Sequence, residues 1–488
     1  MIKFKSVNSI DSFDMSEVEA FEPREYQQNI LDLTELHVAN GFNVLIELDC
    51  GLGKRFLQYS LIGKTFKQKN ILVILQASTS LYETYNYMEK YLSGVDMQLI
   101  DSRVPSKVRA HYLKSHQIIF CLPQTLSNTL ERYPDAVREF DIVVINEVDQ
   151  ILKRMGISHS FKQPYPKLMP FFDKKMVIGM SGTLRDEHYI LDRDQMRIKK
   201  ELKSLLEIMG NTQIITMDML ESSDINEHIK MSEVIATGVD DFRLSMVSGE
   251  LYVHIKEAKH RLMQFIKEEN PELYAEAKRD MTKLFGPLPV PPKLAQDFHR
   301  GYLVRKYLWS MPGESSFHHL LNYGLDEDYL KSTLPRVPAK FLAIRGLVKA
   351  YNKSVVLCSY LDTVDTVSDL IENVGIPTVK ITGQVPHHQR IEALDEFRQS
   401  NKQMVAVLSN VGERDLDIPE AELLIVFDLI RTAKTVYQKL KRSRGGICRI
   451  LFYNETREQQ KVNSVLQKIE EKYSWSTEIK PAELITFD

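Results

Sequence analysis

The sequence predicts an α/β protein with two parallel β-sheets, each flanked by helices, and a mostly helical domain inserted between them. Two separate regions share one rhythm, in which short apolar runs alternate with amphipathic helical stretches. That alternation is typical of βαβ units and a parallel sheet. The region between them lacks this rhythm and carries long helical patterns. A chain of 488 residues is also too long for one hydrophobic core and favours roughly three domains.

The apolar runs are short and rich in Val, Ile and Leu, as expected for strands that helices cover on both faces. The first region contains runs at residues 43–48, 71–75, 118–122, 142–145 and 176–180. The second region contains runs at residues 354–359, 378–382, 404–409, 423–427 and 449–453. The two regions are therefore expected to share one architecture, which is also what distant structural copies would show.

The middle of the chain, at about residues 187–340, changes character. Helical patterns at 251–267 and 271–283 precede the segment FGPLPVPP at 285–292, which no helix or strand interior tolerates. We therefore expect an N-terminal extension, a first α/β domain, a helical insertion, and a second α/β domain with a C-terminal tail. Their expected bounds are residues 1–20, 21–190, 191–337 and 338–488.

Composition narrows the class of protein. Hydrophobic residues make up 43% and charged residues 26%, which is ordinary for a globular protein. No apolar run reaches the roughly 18 residues that span a bilayer, and no signal-peptide pattern is present, so an intracellular location (cytoplasmic, nucleoid or nuclear) is expected. A net charge of −3 leaves nucleic-acid binding open, because such proteins need only a local basic cleft. Four scattered cysteines fit neither a disulfide framework nor a zinc site.

A candidate phosphate loop, DCGLGKR at 49–55, comes directly after the first apolar run. Gly51 and Gly53 allow backbone N–H groups to surround phosphate oxygens, and Lys54 can reach the terminal phosphates. The next position departs from the pattern, since a Ser or Thr hydroxyl normally ligates Mg²⁺ there. Arg55 has no ligating oxygen. It could neutralise phosphate charge but cannot position a metal ion.

An acidic segment, NEVD at 146–149, comes directly after the run at 142–145. Carboxylates two residues apart at the carboxyl end of a strand suit Mg²⁺ handling and activation of an attacking water. Glu147 and Asp149 supply those carboxylates. Asn146 is neutral, so it can form hydrogen bonds but cannot supply charge.

Five further segments occur in the order expected of superfamily 2 helicases, which the chain resembles over about residues 21–453. They are FEPREYQ at 21–27, MSGT at 180–183, ITGQ at 381–384 followed by Gln389, Arg390 and Phe397, NVGERDLDIP at 410–419, and YQKLKRSRG at 437–445. The helical insertion makes the chain look like the Hef, FANCM and RIG-I branch, since plain DEAD-box proteins lack it. The resemblance implies two tandem RecA-like domains, ATP and Mg²⁺ as cofactors, and nucleic acid as a partner.

The resemblance also implies roles for single residues. Arg24 and Gln27 would recognise the adenine base, Glu147 would activate the attacking water, and Asp149 would contact the segment at 180–183. In the second α/β domain Arg442 would be an arginine finger, which stabilises charge developing in the transition state. Two further family positions are kept there, at Asp417 and Gln438.

Four positions depart from the family pattern at places that face Mg²⁺ or the γ-phosphate. Arg55 replaces the metal-ligating hydroxyl and Asn146 replaces the aspartate that holds the metal through water. Asp415 replaces a glycine, and Gly445 stands where the final arginine of the arginine-finger motif is expected. These changes together predict ATP hydrolysis that is weak or absent, and no metal ligand is assigned.

The resemblance places a second set of residues near nucleic-acid phosphates. These are Gln76, Ser78, Gln124, Thr125, Gly383, Gln384, Ser409 and Asn410. Small hydroxyl, amide and backbone donors suit sequence-independent backbone binding. For Ser78 and Thr125 helix N-capping is an equal alternative.

The insertion interleaves basic residues with aromatic ones. The pattern comprises Lys256, Lys259, His260, Arg261, Lys267, His299, Arg300, Arg305 and Lys306, with Tyr302, Tyr307 and Trp309. It could grip a branched or duplex nucleic acid. A solvated helix face with core aromatics produces the same pattern.

Three functions fit these features. The favoured one is a helicase-like protein that binds the backbone of DNA or RNA, with DNA favoured over RNA as the partner. It would serve with protein partners as a structural or regulatory part of a nucleic-acid processing assembly. The second is an active ATP-dependent helicase or translocase, supported by Lys54, Glu147, Asp417 and Arg442. The third is a protein-interaction scaffold that has lost both ligands.

Overall fold

A computed structural model describes the chain except for residues 1–21, 50, 93, 153–164, 183, 185–186, 193–194, 286–287, 410–420, 429–432, 442–445 and 487–488. The chain divides into two compact units, and the change from the first to the second falls between Ile229 and Lys230. A short stretch around residues 185–198 groups with the second unit.

The first unit contains a seven-stranded sheet. Its strands are β1 (Asn43–Glu47), β2 (Ile71–Ile74), β3 (Met97–Ile100), β4 (Ile118–Cys121), β5 (Ile142–Asn146), β6 (Met176–Ser181) and β9 (Thr212–Ile215). They lie in the order β3-β4-β2-β5-β6-β1-β9, and every neighbouring pair is parallel. A separate two-stranded sheet joins β7 (Glu187–Asp192) to β8 (Gln195–Lys200).

Helices alternate with the strands of this sheet. They are α1 (Glu25–Ala39), α2 (Lys54–Ser60), α3 (Ser78–Tyr91), α4 (Ser106–Ser115), α5 (Pro123–Leu130), α6 (Tyr165–Leu168), α7 (Glu201–Met209) and α8 (Ile225–His228). The central strands β2, β4 and β5 are buried at almost every position. Burial on both faces explains why their sequences are nearly continuous apolar runs.

The second unit contains another seven-stranded parallel sheet. Its strands are β10 (Ser232–Val239), β11 (Lys353–Cys358), β12 (Thr378–Ile381), β13 (Met404–Ser409), β14 (Leu423–Val426), β15 (Ile447–Tyr453) and β16 (Thr477–Ile485). Their order is β12-β13-β11-β14-β15-β10-β16. The predicted fold class, tandem RecA-like domains with parallel sheets flanked by helices, is confirmed.

The helices of the second unit form two groups. Those of the insertion are α9 (Phe242–Glu269), α10 (Pro271–Arg279), α11 (Pro292–Ser310), α12 (Gly313–Tyr323) and α13 (Glu327–Thr333). Those that accompany the sheet are α14 (Ala339–Val348), α15 (Leu361–Glu372), α16 (His387–Gln399), α17 (Ala433–Leu440) and α18 (Arg457–Tyr473). The insertion has its own apolar core, in which Leu251, Ile255 and Leu308 pack together.

The boundaries of the insertion differ from the expected 191–337. Strand β9 at residues 212–215 belongs to the first sheet, and β10 at residues 232–239 lies inside the second sheet between β15 and β16. The helical part therefore begins at Phe242, the first residue of α9. Strand β9 was not predicted because three of its four residues are only half-buried. Strand β10 was not predicted because Thr237 and Gly238 interrupt its apolar run. The C-terminal tail ends in the edge strand β16.

Two expectations from composition concern the cysteines and membrane-spanning segments. Cys121, Cys358 and Cys448 are buried, as expected for cysteines that act as small apolar side chains, and Cys50 lies outside the described residues. Among the described helices none is both long and apolar enough to cross a membrane.

Candidate nucleotide and nucleic-acid sites

The candidate phosphate loop connects β1 to α2 at the carboxyl edge of the first sheet. Gly51 and Gly53 have φ angles of 86° and 83°, a left-handed conformation that side chains other than glycine rarely adopt. A Cβ atom on Gly53 would also lie 2.5 Å from Nε2 of Gln27. Backbone conformation therefore favours glycine at position 53, and any side chain there would also displace the Gln27 amide.

The first helix holds this loop in place. The Tyr26 hydroxyl donates a hydrogen bond to the Leu52 carbonyl oxygen at 2.8 Å, and Gln27 Nε2 donates to the same oxygen at 3.3 Å. Gln27 Oε1 accepts from the Arg24 backbone N–H at 3.1 Å. Burial raises the pKa of Tyr26, so its hydroxyl remains a neutral donor. The roles of Arg24 and Gln27 in recognising a base stay predictions, and Arg24 is exposed.

Lys54 begins α2 and faces the acidic segment that extends from β5. Its Nζ lies 3.6 Å from Oε1 of Glu147, with side chains 15% and 33% exposed. Glu147 has φ 51° and ψ 51°, a left-handed conformation that costs a non-glycine residue about 1–3 kcal/mol and often marks a functional site. The structure thus places the retained lysine beside the retained glutamate at the start of α2.

Asp149 makes the contact that the resemblance implied. Its Oδ1 accepts a hydrogen bond from the Ser181 hydroxyl at 2.8 Å, in a buried position. Ser181 ends β6, so the hydrogen bond joins the acidic segment to the segment at 180–183. Part of the connection between these two segments is therefore present in the first unit.

Arg55 forms an ion pair with Glu83. Its Nη2 lies 2.8 Å from Oε2 of Glu83, which belongs to α3. Sequence reasoning missed this pair, since its partners are 28 residues apart and on different helices. The position that would carry a metal-ligating hydroxyl is thus occupied by a guanidinium bound to another side chain.

Asn146 is the last residue of β5. Its side-chain Oδ1 is buried and has no hydrogen-bond partner among the residues that the structure describes. Its backbone oxygen accepts a hydrogen bond from Gln76 Nε2 at 3.2 Å. An amide oxygen carries no net charge to compensate a divalent cation.

These residues do not fit a protein-held Mg²⁺ ion. One family ligand position holds the cationic Arg55 and the other holds the neutral Asn146. Within the described part of the chain, no group of three or more His, Cys, Asp or Glu side chains could hold a metal. The glycines and Lys54 do fit the phosphates of a nucleotide.

The predicted nucleic-acid residues of the first unit also come after strands, at the carboxyl edge. Gln76 lies just beyond β2 and Ser78 begins α3, while Gln124 and Thr125 are in the first turn of α5 after β4. The N-cap residues of α3 and α5 are Ala77 and Leu122, so neither Ser78 nor Thr125 is the N-cap of its helix. Gln124 is exposed, whereas Thr125 is buried.

In the second unit the predicted nucleic-acid residues are partly described. Gly383 and Gln384 are exposed directly after β12, and Ser409 is buried at the end of β13. Gln438, which was predicted to bind nucleotide, is half-buried on α17. Four predicted positions lie outside the described residues: Asn410, Asp415, Asp417 and Arg442, and so does Gly445.

Within the basic and aromatic pattern of the insertion, Arg305 packs against two aromatic rings, whereas most of the other basic residues are exposed. Arg305 is buried, and its guanidinium carbon lies 4.5 Å from the ring centroid of Tyr302 and 5.2 Å from that of Trp309. Both aromatic side chains pack against the core of the insertion. These contacts support the second interpretation of the pattern, in which the aromatic side chains belong to the core and the basic ones to a solvated helix face.

The carboxyl edge of the first sheet therefore has two halves. The order β3-β4-β2-β5-β6-β1 groups the phosphate loop with the acidic segment at one end. The same order places the predicted nucleic-acid segments, which follow β2 and β4, at the opposite end of this edge. Ligand sites of parallel sheets lie at this edge.

Two family models match the chain. The model described as type III restriction enzyme, res subunit, matches residues 20–186. The model described as helicase conserved C-terminal domain matches residues 339–446. The two matches fall on the two α/β regions, and the insertion lies between them.

Similar proteins include several named as RNA helicases. A protein of Methanocaldococcus jannaschii provisionally named an ATP-dependent RNA helicase is 20% identical over 487 residues, covering 92% of this chain and 60% of its own length. DEAD-box ATP-dependent RNA helicase 36 of Oryza sativa subsp. japonica is 29% identical over 191 residues, covering 35% of this chain and 36% of its own length. The chain thus spans less than two thirds of each of these relatives.

Two solved structures share the fold. The Hef helicase domain of Pyrococcus furiosus has a TM-score of 0.58 and 15% identity, with 92% of this chain and 99% of that chain covered. Dbp5 of S. cerevisiae, bound to RNA and ADP BeF3, has a TM-score of 0.53 and 12% identity, with 96% and 92% covered.

Proposed function

The chain belongs to the superfamily 2 helicases, and from that premise we propose that it is a nucleic-acid-binding member whose nucleotide site hydrolyses ATP weakly or not at all. It would act as a structural or regulatory component of a nucleic-acid processing assembly. The named relatives are RNA helicases, whereas the sequence-based prediction is a preference for DNA. Both nucleic acids are therefore candidates for the substrate.

One observation carries this proposal. Arg55 occupies the place of the metal-ligating hydroxyl and is bound to Glu83 at 2.8 Å. A cation at that point repels a second cation and offers no oxygen ligand. Asn146 removes a negative charge from the other metal-holding position. Two changes that oppose the same ion support a loss of metal-assisted hydrolysis.

A nucleotide could still bind. Support comes from the left-handed φ angles of Gly51 and Gly53, from the hydrogen bonds by which Tyr26 and Gln27 hold the loop, and from Lys54 at the start of α2. In such a site the chain's own residues would bind and orient phosphates, and the positive charge would come from basic side chains such as Lys54 rather than from a metal ion.

An active ATP-dependent helicase is the second candidate, favoured by the contact between Lys54 and Glu147 at 3.6 Å. ATP hydrolysis measured with single-stranded DNA, single-stranded RNA and forked DNA separates the two functions. We expect no stimulation by any of the three. Stimulated turnover at about 1 per second or faster, ordinary for an enzyme, would show an active helicase.

A pure protein-interaction scaffold is distinguished by nucleic-acid binding. The proposed function predicts binding to DNA or RNA that weakens steeply with salt, because phosphate contacts release counterions. A scaffold would show no salt-sensitive affinity for either.

A further inference from the structure

Arg103 lies at the carboxyl end of β3, next to the predicted nucleic-acid segments but outside every helicase motif of the chain. Strand β3 is an edge strand beside β4, and β2 is the next strand in the sheet. Parallel strands bring their carboxyl ends to one edge of the sheet. Arg103 therefore shares that edge with Gln76 after β2 and Gln124 after β4.

The side chain of Arg103 is exposed and yet fixed. It is 73% exposed, but its Nε donates to Asp101 Oδ2 at 2.7 Å and its Nη2 donates to the Tyr82 hydroxyl. Its guanidinium carbon lies 5.6 Å from the centroid of the Tyr82 ring. An exposed arginine normally samples many rotamers, so this one has already lost much of the freedom that binding would cost.

The contacts that hold Arg103 come from groups that are themselves fixed. Asp101 is buried, accepts from the backbone N–H of Arg103 at 2.8 Å and accepts from the Tyr82 hydroxyl. Tyr82 belongs to α3, the helix that begins at Ser78. The arginine is thus attached to the helix that carries a predicted backbone contact.

Part of the guanidinium remains available for a ligand. Asp101 and Tyr82 use Nε and Nη2, while Nη1 has no hydrogen-bond partner among the residues that the structure describes. A guanidinium held on one side by a carboxylate and open on the other can bind a phosphate oxygen with its remaining N–H groups.

We propose that Arg103, held by Asp101 and Tyr82, binds a backbone phosphate of the nucleic acid on the first unit. The contact is to phosphate, so it is independent of base sequence. This inference rests on the proposed function and adds to it a phosphate contact that none of the helicase motifs supplies.

The test measures binding of labelled oligo-dT and oligo-U to the full chain at several salt concentrations. Arg103→Ala is expected to weaken binding about tenfold, the contribution of one charge-assisted hydrogen bond. It is also expected to reduce the slope of log affinity against log salt by about 1. Arg103→Gln keeps a long polar side chain and should show the same loss if Arg103→Ala folds poorly.

The matched control is Arg138→Ala. Arg138 is an exposed arginine of the same unit just before β5, at the opposite edge of the sheet, and its loss should leave both affinity and salt slope unchanged. Tyr82→Phe keeps the ring and the charge, so it should weaken binding about threefold with an unchanged salt slope, because only the anchoring hydroxyl is lost.

Two results would be decisive. If Arg103→Ala and Arg103→Gln bind as tightly as Arg138→Ala with the same salt slope, Arg103 is only a tie between β3 and α3 and the inference is wrong. If the unaltered protein binds neither oligonucleotide, the proposed function itself is overturned and this inference with it.

Discussion

The two sheets have the same strand order but different carboxyl edges. Counted in chain order and without the separate β7-β8 pair, both sheets read 3-4-2-5-6-1-7. The halves are therefore topological copies, as the matching rhythm of their sequences indicated. They differ in the segment that leaves the first strand. In the first unit β1 leads into a glycine loop and the seven-residue helix α2, whereas in the second unit β10 leads into the 28-residue helix α9.

In the second unit the place of the phosphate loop is taken by an aspartate. Asp241 Oδ1 accepts from the Leu244 N–H at 3.0 Å and caps α9, while Oδ2 accepts from the Ala339 N–H at 2.8 Å. One carboxylate thus connects the first helix of the insertion, α9, to α14, the helix that follows the insertion.

The carboxyl edge of each sheet also contains a lysine–glutamate pair, and the two pairs differ in how deeply they are buried. Lys54 and Glu147 are 3.6 Å apart and partly exposed. Lys340 and Glu458 are 2.8 Å apart and 0% and 5% exposed, and the lysine lies over the rings of Phe427 and Tyr453. A partly exposed pair 3.6 Å apart contributes little to stability. A fully buried pair loses heavily if either charge is left alone.

The largest predicted effect comes from this contrast. Lys340→Ala leaves Glu458 buried without its cation and should destabilise the second unit by about 3–5 kcal/mol. Lys54→Ala is the matched control and should cost at most about 1 kcal/mol. Chemical denaturation measures both, and equal losses would show that the two pairs do not differ in kind.

The second largest effect is a pH dependence of stability that arises from Asp428, which lies beyond β14 at the carboxyl edge of the second sheet. Burial raises its pKa to about 6, although the Ser359 N–H and hydroxyl donate to it. Between about pH 4 and 6 the folded chain then holds a proton that the unfolded chain has lost. This contribution to stability therefore falls as pH rises through that window and is constant above it.

Asp428→Asn removes this titration. Its stability relative to the unaltered protein should increase between about pH 4 and 6, by up to about 3 kcal/mol. Denaturation at a series of pH values measures the difference. A difference that stays constant with pH would mean that Asp428 has an ordinary pKa.

A smaller effect on stability is expected at the phosphate loop of the first sheet. Tyr26→Phe removes the hydrogen bond to Leu52 and should cost about 1 kcal/mol of stability. Nucleotide affinity should fall about fivefold because the loop is held less firmly. Tyr112→Phe, in α4, is the control. If titration with ATP shows no difference between the two variants, Tyr26 does not order the loop.

The smallest effect is expected for Glu83→Gln. The pair with Arg55 has side chains 39% and 29% exposed, so its loss should change stability by less than about 1 kcal/mol. Thermal unfolding provides the measurement. A larger loss would make the pair a structural requirement rather than a local association.

Much of the fold was predictable because buried parallel strands leave continuous apolar runs. All ten predicted runs overlap strands of the two sheets. Four strands of these two sheets were missed, and their patterns are less apolar. Strands β3 and β9 are half-exposed edge strands, β16 is an exposed edge strand, and β10 contains glycine and threonine. The expected start of the insertion at residue 191 differs from the structure for the same reason, because β9 and β10 belong to the two sheets.

The site was predictable only as a set of motifs. The glycine loop and the contact of Asp149 with Ser181 could be expected from local sequence and family order. The contacts of Tyr26 with Leu52 and of Arg55 with Glu83 join residues 26 and 28 positions apart. Such pairs depend on how α1, α2 and α3 are placed around the sheet, which no local pattern records.

We propose that the carboxyl edge of the first sheet keeps a phosphate loop but has lost the residues that organise Mg²⁺. Calorimetric titration of ATP into the unaltered protein and into Arg55→Thr/Asn146→Asp, each with Mg²⁺ and with a chelator, tests it most directly. We predict that Mg²⁺ leaves ATP affinity unchanged in the unaltered protein and strengthens it about tenfold or more in the double variant, which regains a ligating hydroxyl and a carboxylate. Equal strengthening by Mg²⁺ in both proteins would contradict the claim.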